Sequence, residues 1–164
     1  MLPPRIRPAI QSDAPAINEI YNHYVAHSTC TYQEQAETVE ARIAWLNRHG
    51  PMHPVLVAEM DGNVVGWASA SPFHARSAFR FTVENAVYVH LDHLHKGIGR
   101  QLMKELLHAS KLAGHHCMIA VIDSTQQASI ALHRSLGFVE SGKLREVGLK
   151  FGQRLDLVYL QKML

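Results

Sequence analysis

Six consecutive apolar residues, CMIAVI at positions 117–122, stand between two segments whose apolar positions repeat with helical spacing. A strand of that kind has no polar face to offer water, so it belongs inside a sheet that is covered on both sides. Upstream, Ile98, Leu102, Met103, Leu106, Leu107 and Ala109 mark a helix that Gly114 ends as a C-cap. Downstream, STQQASIALHRSLGF reads as a second helix, opened by Ser124 or Thr125 and closed by Gly137. The chain must therefore build helices against both faces of a sheet.

The remaining pattern supplies the rest of that sheet. Asp13 can cap a helix with Pro15 in its first turn and Ile17, Ile20, Tyr21 and Tyr24 at helical spacing. A second helix, carrying Val39, Ile43, Trp45 and Leu46, follows a Thr38 cap and stops at Gly50-Pro51. VLVAEM and VVGWASAS are short strands joined by Asp61-Gly62-Asn63, a hairpin turn because Asp-Gly tolerates positive φ. FRFTVENAVYVHL is a further strand, and the tail forms two more, with Leu155, Leu157 and Tyr159 giving one of them a buried face. The order is strand, two helices, three strands, helix, strand, helix, two strands. It predicts an α/β (α+β) domain, residues 1–164, with a mixed central sheet of about seven strands and helices on both faces. With 164 residues, 47% of them hydrophobic, the chain can bury one substantial core and has little room for a second.

Sixteen Lys plus Arg against fourteen Asp plus Glu leave a formal charge of +2, too balanced to coat nucleic acid or an anionic membrane by charge alone. No apolar run approaches the ~18 residues that span a bilayer, and MLPPRIRPAI lacks a signal-peptide core, so a cytoplasmic protein is expected. Cys30 and Cys117 lie far apart without metal-ligand spacing and read as free thiols. Glu19, His23 and His27 fall at i, i+4 and i+8 on one helix face, but no second ligand cluster accompanies them, so no metal is expected.

HLHKGIGRQLM, from His93 to Met103, places two glycines between a strand and a helix. Free backbone N–H groups and the positive end of the helix dipole meet there, which suits an anion. Gly97 and Gly99 let the backbone approach a diphosphate, while Lys96 and Arg100 add positive charge. The other reading is a tight turn in which glycine serves φ alone. A Walker loop needs Gly-Lys-Ser/Thr, and a dinucleotide fingerprint needs a third glycine early in the chain; neither is present.

NAVYVHLDHLHKGIGRQLM and STQQASIALHRSLGF together resemble the pyrophosphate loop and the following helix of the Gcn5-related N-acetyltransferases. YNHYVAHSTCTY, RSAFRFTVENAVYVH and VGLKFGQRLDLVYLQ resemble, more narrowly, the phosphinothricin and methionine sulfoximine N-acetyltransferase branch. The chain departs from the family pattern at Leu94, where Gln or Arg is usual, at Gln126, where Asn is usual, and at His133, where Tyr is common. A loop that binds through main-chain amides loses only one side-chain contact at Leu94, worth ~1 kcal/mol.

The resemblance implies an acetyl-CoA-dependent acetyltransferase with a small amino-acid-like acceptor, no metal, and a homodimer. It implies cofactor contacts from Val87, Tyr88 and Val89 and from His95, Lys96, Gly97, Ile98, Gly99, Arg100 and Gln126. It places the acceptor against His74, Ala75, Arg76, Glu84, Asn85 and Ala86, with Arg76 and Arg80 both candidates for clamping an anionic acceptor. In a dimer, Tyr32, Lys150 and Phe151 could complete the site from either subunit. Acetyl transfer to an amine needs a base for the ammonium proton and an acid for the thiolate, for which Glu84 and His133 are the expected residues. The alternatives are acetylation of a protein N-terminus or polyamine, or a non-catalytic acyl-CoA-binding module. A carboxylate at position 84 in an otherwise apolar strand speaks against the last.

Overall fold

A computed structural model describes residues 3–164. Its elements are β1 (Arg5–Pro8), α1 (Ala14–His27), α2 (Val39–Arg48), β2 (Val55–Met60), β3 (Asn63–Pro72), β4 (Thr82–Val89), α3 (Ile98–Leu112), β5 (Cys117–Asp123), α4 (Gln127–Ser135), β6 (Val139–Lys150) and β7 (Gln153–Met163). One seven-stranded sheet runs in the order β1-β2-β3-β4-β5-β7-β6. Every pairing is antiparallel except β4 with β5. That single parallel pair is forced by α3, which carries the chain from one end of β4 back to the start of β5.

Alternation along β2 decides which helices cover which face. Leu56 and Ala58 turn to a core shared with Leu102, Met103 and Leu106 of α3 and Ile130 of α4. Val57 turns the other way, to meet Trp67 of β3 and Ile17 and Ile20 of α1. Both faces are thus sealed, and residues 117–122 sit between them, all buried but half-buried Val121. The Asp61-Gly62 turn has φ of 50° and 79°, the double left-handed geometry of a tight hairpin.

Two expected caps are corrected. Thr38 caps α2 as expected, its Oγ1 accepting from the Ala41 N–H at 3.1 Å. Asp13 instead spends its carboxylate on the Ile10 N–H and on Arg7, whose guanidinium holds it below the usual carboxylate range against the opposing effect of burial. Neither Ser124 nor Thr125 caps α4: its N-cap is Gln126, and the Thr125 N–H and hydroxyl both donate to Asp123 Oδ1. The buried face of β7 also differs, because Leu155, Val158 and Leu160 are buried while Leu157 and Tyr159 are only half-buried. A strand flanked by β5 and β6 has no open edge, so both of its faces carry part of the core.

Leu102 is fully buried at the centre of the α3 face. Replacing it by Ala should lower unfolding free energy by about 2–5 kcal/mol, read from urea melts. A change under about 1 kcal/mol would mean that α3 does not anchor this core.

Candidate active site

The parallel pairing of β4 with β5 covers only Thr82↔Cys117, Val83↔Met118 and Glu84↔Ile119. Past Glu84 the strands diverge, and a cleft of about 580 Å³ opens, lined by residues 84–89 on one side and Ala120, Val121 and Ile122 on the other. Backbone amides on the facing edge of β4 lack a strand partner there and are available to a ligand.

The mouth of the cleft is the glycine turn. His95 and Gly97 take positive φ, 59° and 78°, and Gly97 is the N-cap of α3. Left-handed residues next to right-handed ones fold successive N–H groups into a concave nest, to which the helix end adds its dipole. Leu94, His95, Gly97, Ile98, Gly99 and Arg100 line the cleft. Lys96 does not: its ammonium donates to the Asp92 carbonyl at 2.7 Å. Arg100 donates to Ser135 Oγ at 2.9 Å, tying the turn to the end of α4. The turn therefore presents an anion with backbone amides more than with side-chain charge. Gln126 lines the same cleft and donates from Nε2 to Thr29 Oγ1 at 3.2 Å.

A second chamber of about 350 Å³ lies on the α1/α2 face of the sheet and shares Cys30, Glu84, Ala86, Tyr88 and Val121 with the first. Glu84 thus stands where the two spaces join. Burial pushes its carboxyl above the ordinary value, and the nearby charge of His74 works the other way. The rest of the wall includes Tyr21, Thr31, Tyr32, Arg42, Trp45, Trp67 and Asp123. Of these only Tyr32 is anticipated from the sequence. The others come from α1, the loop after it, α2, β3 and the end of β5, and the only signal they carry is an Arg on the apolar face of a helix.

His133 lines the cleft and is held by the protein on both sides of its ring. Its Nδ1 lies 2.8 Å from the Ser129 carbonyl and its Nε2 2.9 Å from Asn85 Oδ1. Each ring nitrogen thus faces a protein oxygen, and burial pushes the pKa below that of a free imidazole, so the neutral ring has one N–H to offer the two. The ring thereby joins α4 to β4. Asn85 in turn donates to the Ile119 carbonyl at 3.2 Å, which joins α4, β4 and β5 where the strands part.

The acceptor-side residues divide. Glu84, Asn85 and Ala86 line the cleft, whereas His74, Ala75, Arg76 and Arg80 sit on an exposed loop and line neither space. Arg80 stacks on Phe81 at 4.5 Å. Lys150 is buried and donates to the Ser28 and Thr31 carbonyls at 2.8 Å, pinning the loop after α1, while Phe151 is exposed at the tip of the β6–β7 hairpin. Val87, Tyr88 and Val89 line the cleft as expected, and the Tyr24 hydroxyl, unanticipated, donates to the Val89 carbonyl at 2.5 Å. His23 and His27 stack on each other at 4.6 Å, and among the described residues no three ligating side chains converge.

Residues 17–138 match the model of the acetyltransferase (GNAT) family. The chain is 44% identical to the L-amino acid N-acyltransferase MnaT of Escherichia coli over 97% of its length and 93% of that protein's. It is 42% identical to the L-methionine sulfoximine/L-methionine sulfone acetyltransferase of Salmonella typhimurium, over 97% and 94%. Among solved structures it resembles a phosphinothricin acetyltransferase of Sinorhizobium meliloti in complex with acetyl-CoA, with TM-score 0.96, 36% identity and coverage of 99% and 89%. A Brucella melitensis protein described as a ribosomal-protein-alanine N-acetyltransferase is also similar, with TM-score 0.95, 45% identity and coverage of 98% and 99%.

Asn85→Ala strips His133 of one acceptor and Ile119 of its donor. Chemical denaturation should show a loss of about 1–3 kcal/mol, the cost of buried polar groups left unpaired. A loss below about 0.5 kcal/mol would show that the three elements hold the apex without this chain of bonds.

Proposed function

Because the chain belongs to the Gcn5-related N-acetyltransferase (GNAT) family, we propose that it moves an acetyl group from acetyl-CoA to the amino group of a small amino acid or analogue, of the methionine sulfoximine or phosphinothricin type. The observation that carries this reading is the position of Glu84, between an amide-lined cleft with a diphosphate cradle at its mouth and a separate chamber of small-molecule size.

In this reading the N–H groups of residues 95–100 hold the pyrophosphate, and Gln126 flanks it. The amides of Val87 and Val89, on the edge of β4 that lacks a strand partner, and the strand around Tyr88 between them hold the pantetheine arm and the acetyl carbonyl, where fixed N–H dipoles stabilise a developing oxyanion without having to reorganise. The acceptor amine enters from the second chamber. Glu84 takes its ammonium proton, directly or through water, and the neutral amine attacks the thioester carbonyl; the C–N bond forms and the C–S bond breaks. Burial raises the Glu84 pKa toward the working pH, which makes it a stronger base.

A homodimer fits the exposed apolar residues of the edge strand and its hairpin, Val139, Leu144, Val147, Leu149 and Phe151. Acetylation of a protein N-terminus is the second reading, favoured by the likeness to the Brucella protein. A chamber of about 350 Å³, backed by buried Trp67 and Arg42, suits one amino acid better than a chain. Thiol release from acetyl-CoA, measured against amino acids, their sulfoximine and phosphinic analogues and short peptides, separates the two. Activity confined to peptides would defeat the first.

Glu84→Gln should lower kcat by about 100-fold or more while acetyl-CoA affinity stays within about threefold. The base works deprotonated, so kcat/KM should fall as pH drops through the raised Glu84 pKa, above the usual carboxylate value of ~4.3, and the variant should lack that acidic limb. Unchanged turnover at every pH would remove Glu84 from the mechanism.

A further inference from the structure

The floor of the second chamber is laid in register. β3 and β4 pair Trp67 with Tyr88, Ser69 with Ala86 and Ser71 with Glu84, and all six residues line that space. Ser71 is thus the cross-strand neighbour of Glu84 on the same face of the sheet. Behind it stands His49, the residue after α2, with Nε2 2.9 Å from Ser71 Oγ and Nδ1 2.8 Å from the Trp45 carbonyl.

These partners fix the direction of the serine hydroxyl. A carbonyl only accepts, so Nδ1 carries the proton of the neutral ring and Nε2 is left as an acceptor. Ser71 therefore donates to His49, and its oxygen lone pairs remain for donors in the chamber. Burial keeps the ring neutral; the bond to the Trp45 carbonyl works the other way, and the charges of Arg48 and Arg42 add to the effect of burial. His53 also lies within reach of the His49 charge. Turned the other way, the same hydroxyl would donate to Glu84, stabilise the carboxylate and weaken the base. Among the described residues no protein group donates to that carboxylate, and burial holds its pKa up against the charge of His74.

An amine stripped of water at Glu84 has N–H groups besides the one it gives up, and each costs free energy if it finds no acceptor. We propose that Ser71 accepts a hydrogen bond from the acceptor's amino group beside Glu84, and that His49 is a positioning residue that holds the serine hydroxyl in its accepting orientation. The inference rests on the reading that the amine meets Glu84 from the second chamber. Ser71 restrains the amine while Glu84 takes a different proton from it.

The test follows kcat/KM for methionine sulfone against pH, by thiol release from acetyl-CoA with the whole chain. Ser71→Ala should lower kcat/KM by about 10- to 100-fold and leave acetyl-CoA affinity within about threefold. Its acidic limb should stay where the wild type has it, because the hydroxyl gives Glu84 no hydrogen bond. His49→Phe frees the hydroxyl to donate to Glu84, so the limb should move down by about 0.5 pH or more, and the double variant should lose that displacement. Unchanged kcat/KM in Ser71→Ala overturns the contact with the amine. An acidic limb displaced upward in Ser71→Ala shows that the hydroxyl had been donating to Glu84, and overturns its orientation. A limb unmoved in His49→Phe, or displaced equally in the double variant, removes His49 from its role. Should His49→Phe fail to fold, the limb of Ser71→Ala alone decides the orientation. Full turnover in Glu84→Gln, or a wild type that acetylates peptides but no amino acid, fails at the underlying reading, and the proposal falls with it.

Discussion

The site depends on the parting of β4 from β5. Three register pairs hold them parallel, and beyond Glu84 they separate, exposing amides and two walls of side chains to one cleft. A continuous ladder would have consumed those amides and left no opening through the sheet. At the apex Asn85 bridges to the Ile119 carbonyl and to His133 of α4, so the divergence is braced by buried hydrogen bonds. Sheet, helix and cleft are fixed by one local event.

Alternation along β4 then distributes function between the faces. Asn85, Val87 and Val89 turn toward α3 and α4, while Ala86 and Tyr88 pack with the α1/α2 cluster. Glu84 shares the parity of Ala86 and Tyr88, so its carboxylate addresses the second chamber while remaining at the edge of the cleft. The two spaces are thus reached from opposite faces of the sheet and join where the strands part. The histidine that chemistry alone would nominate as an acid is instead part of the brace, because both of its nitrogens face oxygens of the protein.

What the glycine turn offers an anion is mainly backbone. His95 and Gly97 adopt left-handed φ, and their N–H groups gather at the start of α3 whatever stands at position 94. Lys96 is turned to its own loop, which leaves the cradle dependent on amides and the helix dipole.

Much of this was legible in the sequence. The apolar run at 117–122, the helical spacing on either side and the Asp61-Gly62 turn determined a sheet covered on both faces, since periodicity reports which side of an element meets water. The two glycines before α3 and the lone carboxylate in an apolar strand marked positions suited to an anion and to a base, because those needs act on single residues. The second chamber was not legible. Arg42, Trp45, Trp67 and Asp123 come from three different elements and read singly as core or surface, and Ser124 and Thr125 looked like caps until Asp123 was seen to take the Thr125 hydroxyl. Only the tertiary structure decided which side chains share the second chamber and which oxygens His133 faces, because both depend on packing between segments far apart in the chain, and no local pattern encodes that.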